Sequence, residues 1–494
     1  MSRLAWFSPL PPVKSGIAQY NRELLPPLAE ACDIDVFVDG RPGELVSPDA
    51  RVSLHDAHDF IWKHRHEPYD LVVYQLGNAR CHDYMWAYLV RYPGLVVLHD
   101  GQLHHARGRM LLQQWRPRTD DYRREFWFNH PDAHPDLAEL GAVGLLGSLT
   151  YLWPMLRVVV EASRRLLVHN AWLAEQIRED HPAAAVDVVD MGVPEPAPRP
   201  DARRQIRSRY GIPDDAVVFT AFGNVTPEKR VREAMRALAA IAPGAPRVHL
   251  LIAGETVDYY DMLAEAEALG LSGRVTLTGY LADEDIDDHV AASDVCLCMR
   301  WPSSRETSAS WLRCLAAGKA TISTDLVHTV DVPTLDPRDW TVLEARLKSR
   351  PTDTESTGPT DTESTGPTDT ESTGPTDTES TGPTDQKSTG PVGVSIDILD
   401  EDHSLKLAMR RLATDEKLRA TLGSNAQALW AERFGLERMA AGYRESIAQA
   451  LQAGASGAEI GATLPVHLRS SGAEHAEALV REVLGSEYHL RDAD

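Results

Sequence analysis

A carboxylate and two hydroxyls stand together in the stretch RWPSSRETSASWLRCLAAGKATISTD, residues 300–325. Glu306 precedes Thr307 and Ser308, which are both able to cap a helix, and apolar residues at helical spacing follow. The pattern predicts a strand–loop–helix turn with Ala309 at the helix start. Unpaired N–H groups at a helix start attract anions, so the turn suits a phosphate group. The alternative is a simple helix cap that favours the helix dipole.

Two adjacent cations follow a strand-like run in FGNVTPEKRV, residues 222–231. Gly223 and Asn224 end the strand, and Lys229 and Arg230 open the next helix. Cations held over a strand end neutralise the charge of a diphosphate leaving group. A solvated Lys–Arg pair on a helix surface is the alternative interpretation.

The N-terminal half contains a small-residue loop, KSGIAQYN, that opens a helix. Ser15 and Gly16 allow a phosphate or sugar to approach the backbone closely. Further along, LVVLHDGQLHH places His99 and Asp100 directly after a buried strand, where His99 could bond a sugar hydroxyl. A metal site built from these two residues and the following His-His pair is disfavoured, because four buried ligands need a tighter pattern.

Arginines and aromatic residues cluster in residues 106–128 of an otherwise acidic chain. Arg107 and Arg109 could face an anionic acceptor or a membrane surface. An ordinary pair of amphipathic helices explains the same pattern.

Strand-like and helix-like runs alternate along most of the chain, which predicts an α/β protein with parallel sheets and functional loops at their carboxyl ends. A proline-rich polar stretch near residue 195 divides them. We therefore expect two doubly wound Rossmann-like domains facing a cleft: an acceptor domain at 1–195 and a donor domain at 196–430. A C-terminal helix and tail occupy 431–494.

An eight-residue repeat, PTDTESTG, fills residues 351–390 in four copies and one variant copy. It has no apolar residue to bury, so we expect a disordered insertion within the donor domain.

The bulk composition excludes several classes of protein. A net charge of −23 argues against a nucleic-acid binder, and the five cysteines do not form a disulfide framework. No apolar run of roughly twenty residues occurs, and the N-terminus lacks a signal-peptide core. The protein is therefore expected in the cytoplasm, with weak contact at the inner face of a membrane left open. The sequence does not predict an oligomeric state.

Taken together, the motifs resemble the family 4 glycosyltransferases, which are retaining enzymes of the two-Rossmann-domain GT-B architecture. The resemblance rests on five stretches in order: SPLPPVKSGIAQYN, LVVLHDGQLHH, LLVHNAWLAEQI, FGNVTPEKRV and RETSASWLRCLAAGKATISTD. It implies transfer of a sugar from a UDP- or GDP-linked donor to a glycan or glycolipid acceptor, without a metal or other cofactor.

The resemblance also implies roles for single residues. Gly16 matches the family's glycine-containing loop near the donor diphosphate. His99 matches the histidine that contacts the transferred sugar, and Lys229 matches the lysine that binds the diphosphate. Glu306 matches the first glutamate of the family's donor motif, which contacts the sugar. Asn224 stands where many members carry an arginine, and Arg230 is the expected substitute.

The second glutamate of that motif, which contacts the ribose, is absent. Its position falls on Cys314 or Arg313. Two alternatives follow from this departure: a non-catalytic nucleotide-sugar-binding protein and, with less support, a nucleotide-sugar epimerase. An epimerase needs paired acid and base carboxylates, and the sequence clearly offers only Glu306.

Overall fold

A computed structural model describes residues 1–245, 247–257, 261–325, 329, 331–343, 390–453, 463–469 and 482–483. The predicted octad insertion lies outside the described residues except for Gly390.

The first sheet has seven strands, all parallel, in the order β3-β2-β1-β4-β5-β6-β7. Its strands are Ser2–Phe7 (β1), Cys32–Val38 (β2), Val52–Asp56 (β3), Leu71–Leu76 (β4), Leu95–Leu98 (β5), Arg165–Val168 (β6) and Val186–Val188 (β7).

The second sheet has eight strands in the order β10-β9-β8-β11-β12-β15-β13-β14, parallel except for the pairing of the two short strands β13 and β14 at one edge. Its strands are Val217–Phe222 (β8), Val248–Ala253 (β9), Val275–Leu277 (β10), Val295–Cys298 (β11), Ala320–Thr324 (β12), Thr334–Leu335 (β13), Val342–Leu343 (β14) and Gly393–Ile396 (β15).

Helices connect the strands of each sheet. They are Gly16–Leu28 (α1), Phe60–His66 (α2), Met85–Leu89 (α3), His104–Leu112 (α4), Thr119–Asn129 (α5), Pro135–Ala142 (α6), Arg157–Ala162 (α7), Ala171–Asp180 (α8), Ala202–Arg209 (α9), Val231–Ile241 (α10), Met262–Ala268 (α11), Ile286–Ala292 (α12), Ala309–Ala316 (α13), Glu401–Thr414 (α14), Glu416–Arg433 (α15), Leu436–Gln452 (α16) and Val466–Arg469 (α17).

The central strands are almost entirely apolar because helices cover both faces of each sheet, and the polar exceptions are Gln75 in β4, Thr220 in β8 and His249 in β9. Every residue of β4, β8 and β9 is buried. The predicted fold class, two doubly wound α/β domains, is confirmed.

In both sheets the strand order reverses between two central strands, β1 and β4 in the first and β8 and β11 in the second. Ligands of doubly wound folds bind outside the carboxyl ends of strands at such a reversal. The loops after β1, β5, β8 and β11 carry the residues singled out in the sequence, and they meet in the cleft between the sheets.

The chain passes between the two sheets twice. The first crossing joins β7 to α9 and contains the predicted boundary at residue 195. The second lies between α15 and α16, where the Val193 N–H donates to the Phe434 carbonyl at 2.9 Å. Helix α16 then packs on α1 of the first domain. The C-terminal helix thus returns to the N-terminal half and helps to hold the two domains together.

Candidate active site

The loop after β8 brings Lys229 close to the strand end. Gly223 has a left-handed backbone with φ of +83°, and a Cβ at this position would lie 2.8 Å from Lys229 Nζ. The ammonium donates to the Phe222 carbonyl. Burial, helped by the charge of Arg300, lowers the pKa of Lys229 to about 8. The loop therefore holds a cation, through a glycine-shaped turn, where it can meet an anionic ligand.

Glu306 lies in the loop after β11, where two neighbours hold its carboxylate. Arg300 Nε is 2.7 Å from Oε1, and the Ser303 hydroxyl donates to Oε2 at 3.1 Å. A hydrogen bond of 2.7 Å from Trp301 N to the Glu228 carbonyl ties this loop to the one after β8. Arg300 thus joins Lys229 and Glu306 in one charged cluster, although no sequence motif pointed to it.

Helix α13 begins just beyond Glu306. The Ser308 hydroxyl caps it by accepting from Trp311 N at 3.3 Å. Ala309 and Ser310 line the cleft. The first turn of the helix therefore presents backbone N–H groups beside the charged cluster, a setting that favours an anion.

Across the cleft, His99 is buried at the end of β5. Its Nε2 lies 2.7 Å from Gln75 Oε1, and because that oxygen only accepts, Nε2 carries the proton. Burial lowers the pKa of His99 well below its usual range, helped by the neighbouring His169. The imidazole is therefore neutral and acts as a hydrogen-bonding group rather than as a charge.

A polar network supports the face of His99. The Tyr20 ring meets the imidazole edge-on at 4.8 Å, and the Tyr20 and Tyr443 hydroxyls are 2.6 Å apart. His169 Nε2 lies 3.3 Å from the Tyr20 hydroxyl. Tyr443 belongs to α16, so the returning C-terminal helix fixes residues of the first domain at the cleft.

Asp100 follows His99 and accepts from Asn78 N at 2.7 Å. Burial and, to a smaller extent, the charge of the nearby Glu306 carboxylate together raise the pKa of Asp100 to about 7. The two carboxylates belong to different domains. The cleft therefore holds two acidic side chains within electrostatic range of each other, and the charge of Arg300 partly offsets their repulsion.

Below this cluster the cleft opens into a cavity of about 380 Å³. Ser15 and Gly16 line it from the first domain, and Gly223 and Asn224 line it from the second. A Cβ added at Gly16 would meet no atom within 4 Å, so the backbone there is open to a ligand. The other lining residues include Lys14, Glu23, Gly254, Glu255, Tyr280, Ile286 and Arg313.

Ion pairs cross this cavity from α1 and its preceding loop. Lys14 lies 3.2 Å from Glu255 and 4.2 Å from the centre of the Tyr280 ring. Arg313, one of the two positions at which the resemblance places the ribose carboxylate, is paired with Glu23 of α1. A carboxylate is therefore present beside this position, but the first domain supplies it.

Two of the predicted binding residues are placed differently from expectation. Arg230 was expected to replace the missing cation at Asn224, but Glu401 of α14 binds its guanidinium through two hydrogen bonds. Thr307 was expected to reach a phosphate, but its hydroxyl donates to the His169 carbonyl at 3.2 Å. Thr307 therefore forms a contact between the domains.

The arginines expected on the acceptor side are also occupied. Arg107 is fully buried against Glu125 in a two-point ion pair, with one N–O distance of 2.7 Å. Asp83 binds Arg109 in the same way, at 2.6 and 3.1 Å. Both side chains hold helices together, so an acceptor does not meet them as free cations.

No group of three or more His, Cys, Asp or Glu side chains within the described ranges is arranged to hold a metal ion. All five cysteines are free.

A family model described as glycosyl transferases group 1 matches residues 202–331. The matched segment runs from α9 to just beyond β12 and contains Lys229, Arg300 and Glu306. It covers the second domain's side of the cleft and leaves the first domain outside the match.

Two curated proteins match over parts of their length. The chain is 31% identical over 112 residues to 2-deoxystreptamine glucosyltransferase of Streptomyces kanamyceticus, covering 22% of this chain and 28% of that protein. It is 28% identical over 207 residues to D-inositol 3-phosphate glycosyltransferase of a Nocardioides species, covering 37% and 45%. The chain thus spans less than half of the length of either relative.

Solved structures match over nearly the whole chain. Sucrose-phosphate synthase from Thermosynechococcus elongatus has a TM-score of 0.58 and 14% identity, over 92% of this chain and 100% of that one. Anabaena HepE, solved in complex with UDP and glucose, has a TM-score of 0.54 and 14% identity, over 91% and 100%. These likenesses are of fold, and they confirm the expected GT-B architecture.

Proposed function

We propose that this protein is a retaining glycosyltransferase of the hexosyltransferase type, which moves a sugar from a nucleoside-diphosphate sugar to an acceptor hydroxyl. One observation carries the proposal. Lys229, Arg300 and Glu306 of the second domain form a charged cluster beside the start of α13, and His99 and Asp100 face it from the first domain. Both halves of a transfer reaction can therefore meet in one cleft.

The second domain binds the donor in this account. The diphosphate lies between the Lys229 ammonium and the backbone N–H groups at the start of α13, which stabilise charge that develops on the leaving group. Glu306 accepts hydrogen bonds from hydroxyls of the sugar, while Arg300 and Ser303 fix its orientation. The protein residues supply these contacts without a metal or other cofactor, and the base is uracil or guanine.

Retention follows from attack on the same face as the departing group. The bond between the anomeric carbon and the diphosphate oxygen breaks, and a bond to the acceptor oxygen forms. The acceptor proton passes to the departing phosphate oxygen. His99 donates a hydrogen bond to the side-chain oxygen Oε1 of Gln75 and is neutral, so its role is to position the sugar rather than to carry the proton.

The first test is calorimetric titration with UDP, GDP and ADP and their common sugar conjugates, with a chelator present. The proposal predicts tight binding of one diphosphate under these conditions. That donor is then incubated with glycan and glycolipid acceptors, and the anomeric proton of the product is followed by NMR. Retained configuration supports the mechanism, and an inverted product contradicts it.

Two controls separate the alternatives. Conversion of the donor sugar in the absence of any acceptor favours an epimerase. Binding of a donor without turnover on any acceptor favours a nucleotide-sugar-binding protein.

A further inference from the structure

The segment from Leu140 to Leu156 has no charged residue in seventeen positions, and it runs in the first domain from the end of α6 to the start of α7. Four of its aliphatic side chains face solvent: Val143 is 65% exposed, Leu145 71%, Leu149 53% and Leu152 65%. Monomeric proteins seldom expose several large aliphatic side chains so close together without a partner.

Two residues of the segment are packed in one small core, whereas its four exposed aliphatic side chains lie before and between them. Leu146 and Met155 are buried in a small core with Leu111, Tyr122 and Phe126 of the neighbouring helices. Two exposed glycines, Gly144 at φ +74° and Gly147 at φ +51°, turn the chain between the exposed side chains. A Cβ added at either glycine would meet no atom within 4 Å. Residues Gly147–Leu152 form a short 3₁₀ helix, so Leu149 and Leu152, three residues apart, lie on one side of it. The exposed tip is therefore a projecting loop that contains a short helical turn on a packed base.

This loop adjoins the mouth of the catalytic cleft. Its last residues are fastened to the stretch that follows Asp100: Gln102 Nε2 donates to the Thr150 carbonyl at 2.9 Å, and His105 Nε2 lies 3.0 Å from the Thr150 hydroxyl. Burial raises the pKa of Tyr151, and the Glu306 and Asp100 carboxylates contribute to this rise. The loop thus sits beside the charges that face an incoming acceptor.

The adjacent helix α5 adds little net charge. Its arginines are paired with carboxylates: Arg123 with Glu139 at 2.7 Å, and Arg124 with Asp121 at 2.9 Å. Arg118, just before the helix, also binds Asp121 at 2.7 Å. A surface of this kind does not attract a polyanion, but it suits an electrically neutral interface into which aliphatic side chains can insert.

We propose that residues 143–152 dock the protein on the interfacial region of a zwitterionic lipid bilayer and bring the cleft to an acceptor carried by a lipid. The acceptor class rests on the proposed glycosyltransferase function, whereas the docking itself does not. Four exposed aliphatic side chains within ten residues, with no charged residue among them and only paired charges on the adjacent helix, fit the boundary between the head groups and acyl chains of a neutral bilayer. Insertion is driven by apolar burial, so it is insensitive to salt.

The test is flotation of the full chain with phosphatidylcholine vesicles at low and high salt. The chain is expected to float in both. The triple variant Leu145→Asp, Leu149→Asp, Leu152→Asp should bind at least about tenfold more weakly, because three charges must enter the interface. Leu399→Asp is the matched control: Leu399 is 94% exposed but stands alone in the second domain, so its variant should float like the wild type.

Three results would overturn the proposal. The wild type remains in solution, or the triple variant floats equally well, or binding requires anionic lipid and disappears in high salt. Size-exclusion chromatography of the same variants tests the alternative that a second copy of the chain covers the loop. A dimer that the triple variant loses, together with no vesicle binding, would assign the loop to a second copy of the chain. Failure of donor binding in calorimetry would remove the proposed function but leave vesicle binding unaffected, so the two failures are distinguishable.

Discussion

Asp100 at the end of β5 and Glu306 after β11 belong to different sheets, yet the charge of Glu306 contributes to the raised pKa of Asp100. A hydrogen bond joins the two loops directly, because Gly101 N donates to the Ser304 carbonyl at 2.7 Å. Asn170, which follows β6, adds a second link between the domains, from its Nδ2 to the Arg305 carbonyl at 3.2 Å. The structure therefore represents a closed cleft with two acidic side chains in electrostatic contact.

The first prediction concerns this pair. Because the pKa of Asp100 is raised from 3.8 to about 7, its protonated form stabilises the fold fully below 3.8, and this contribution is lost as the pH rises through 7. The substitution Glu306→Gln removes one cause of the raised pKa of Asp100, the charge of Glu306, but leaves burial, which is the larger cause. We expect this variant to lose less stability than the wild type between about pH 4 and 8.

Denaturant unfolding of both proteins across that range measures the difference, with Asp100→Asn as the reference that cannot titrate. Glu255→Gln is the control, because Glu255 lies on the cleft but does not affect Asp100. Parallel pH profiles for the wild type and Glu306→Gln would refute the coupling.

The second prediction concerns Lys229. Its pKa is lowered to about 8, so the free protein loses this positive charge as the pH rises above that value. Affinity for the nucleoside diphosphate should then decline by up to about tenfold per pH unit. Titrations between about pH 7 and 10 check this. Lys229→Met should bind weakly throughout and show a flatter profile, and a wild-type profile without a decline would contradict the assignment.

The third prediction separates two arginines that look alike in sequence. Arg300→Ala should reduce kcat/KM by about 100-fold or more, because Glu306 loses the partner that orients it. Arg230→Ala should reduce stability and affect transfer far less, because Arg230 is bound to Glu401 of α14. Kinetics and thermal unfolding of both variants measure the contrast. A larger catalytic loss in Arg230→Ala would reverse our placement.

The fourth prediction concerns the returning C-terminal helix. Tyr443→Phe removes the hydroxyl that contacts Tyr20, which should cost about 1 kcal/mol of unfolding free energy and raise KM by loosening the support of His99. Tyr74→Phe is the matched control, because it loses a hydrogen bond of 2.9 Å to the Tyr92 carbonyl. Equal kinetic effects in the two variants would contradict a positioning role for Tyr443.

Much of the fold could be predicted from local pattern. Alternating apolar runs and helical stretches predict parallel sheets because a strand covered on both faces must be largely apolar, and both β4 and β8 are largely apolar. The loops after β1, β5, β8 and β11 follow their strands directly in the sequence. Their position at the carboxyl edge of a parallel sheet could therefore be predicted from the order of strands and helices along the chain. His99, Lys229 and Glu306 were therefore expected in one cleft.

The partners of these residues could not be predicted, because they are distant in sequence. Gln75 is bound to His99 across neighbouring strands, and Tyr443 reaches the site from the far end of the chain. A run of basic residues also does not reveal which of them are neutralised. From the sequence Arg107 is a candidate binding cation, but in the structure Glu125 on the next helix forms an ion pair with it.

The most direct test of the central claim is the transfer rate of Lys229→Ala and Glu306→Ala with the donor that binds. Each variant should keep the far-ultraviolet circular dichroism and cooperative unfolding of the wild type, and each should lose about 100-fold or more in kcat. Lys417→Ala, an exposed lysine on α15, should retain the wild-type rate. Unchanged rates in both cleft variants, with their folds intact, would contradict the proposed site.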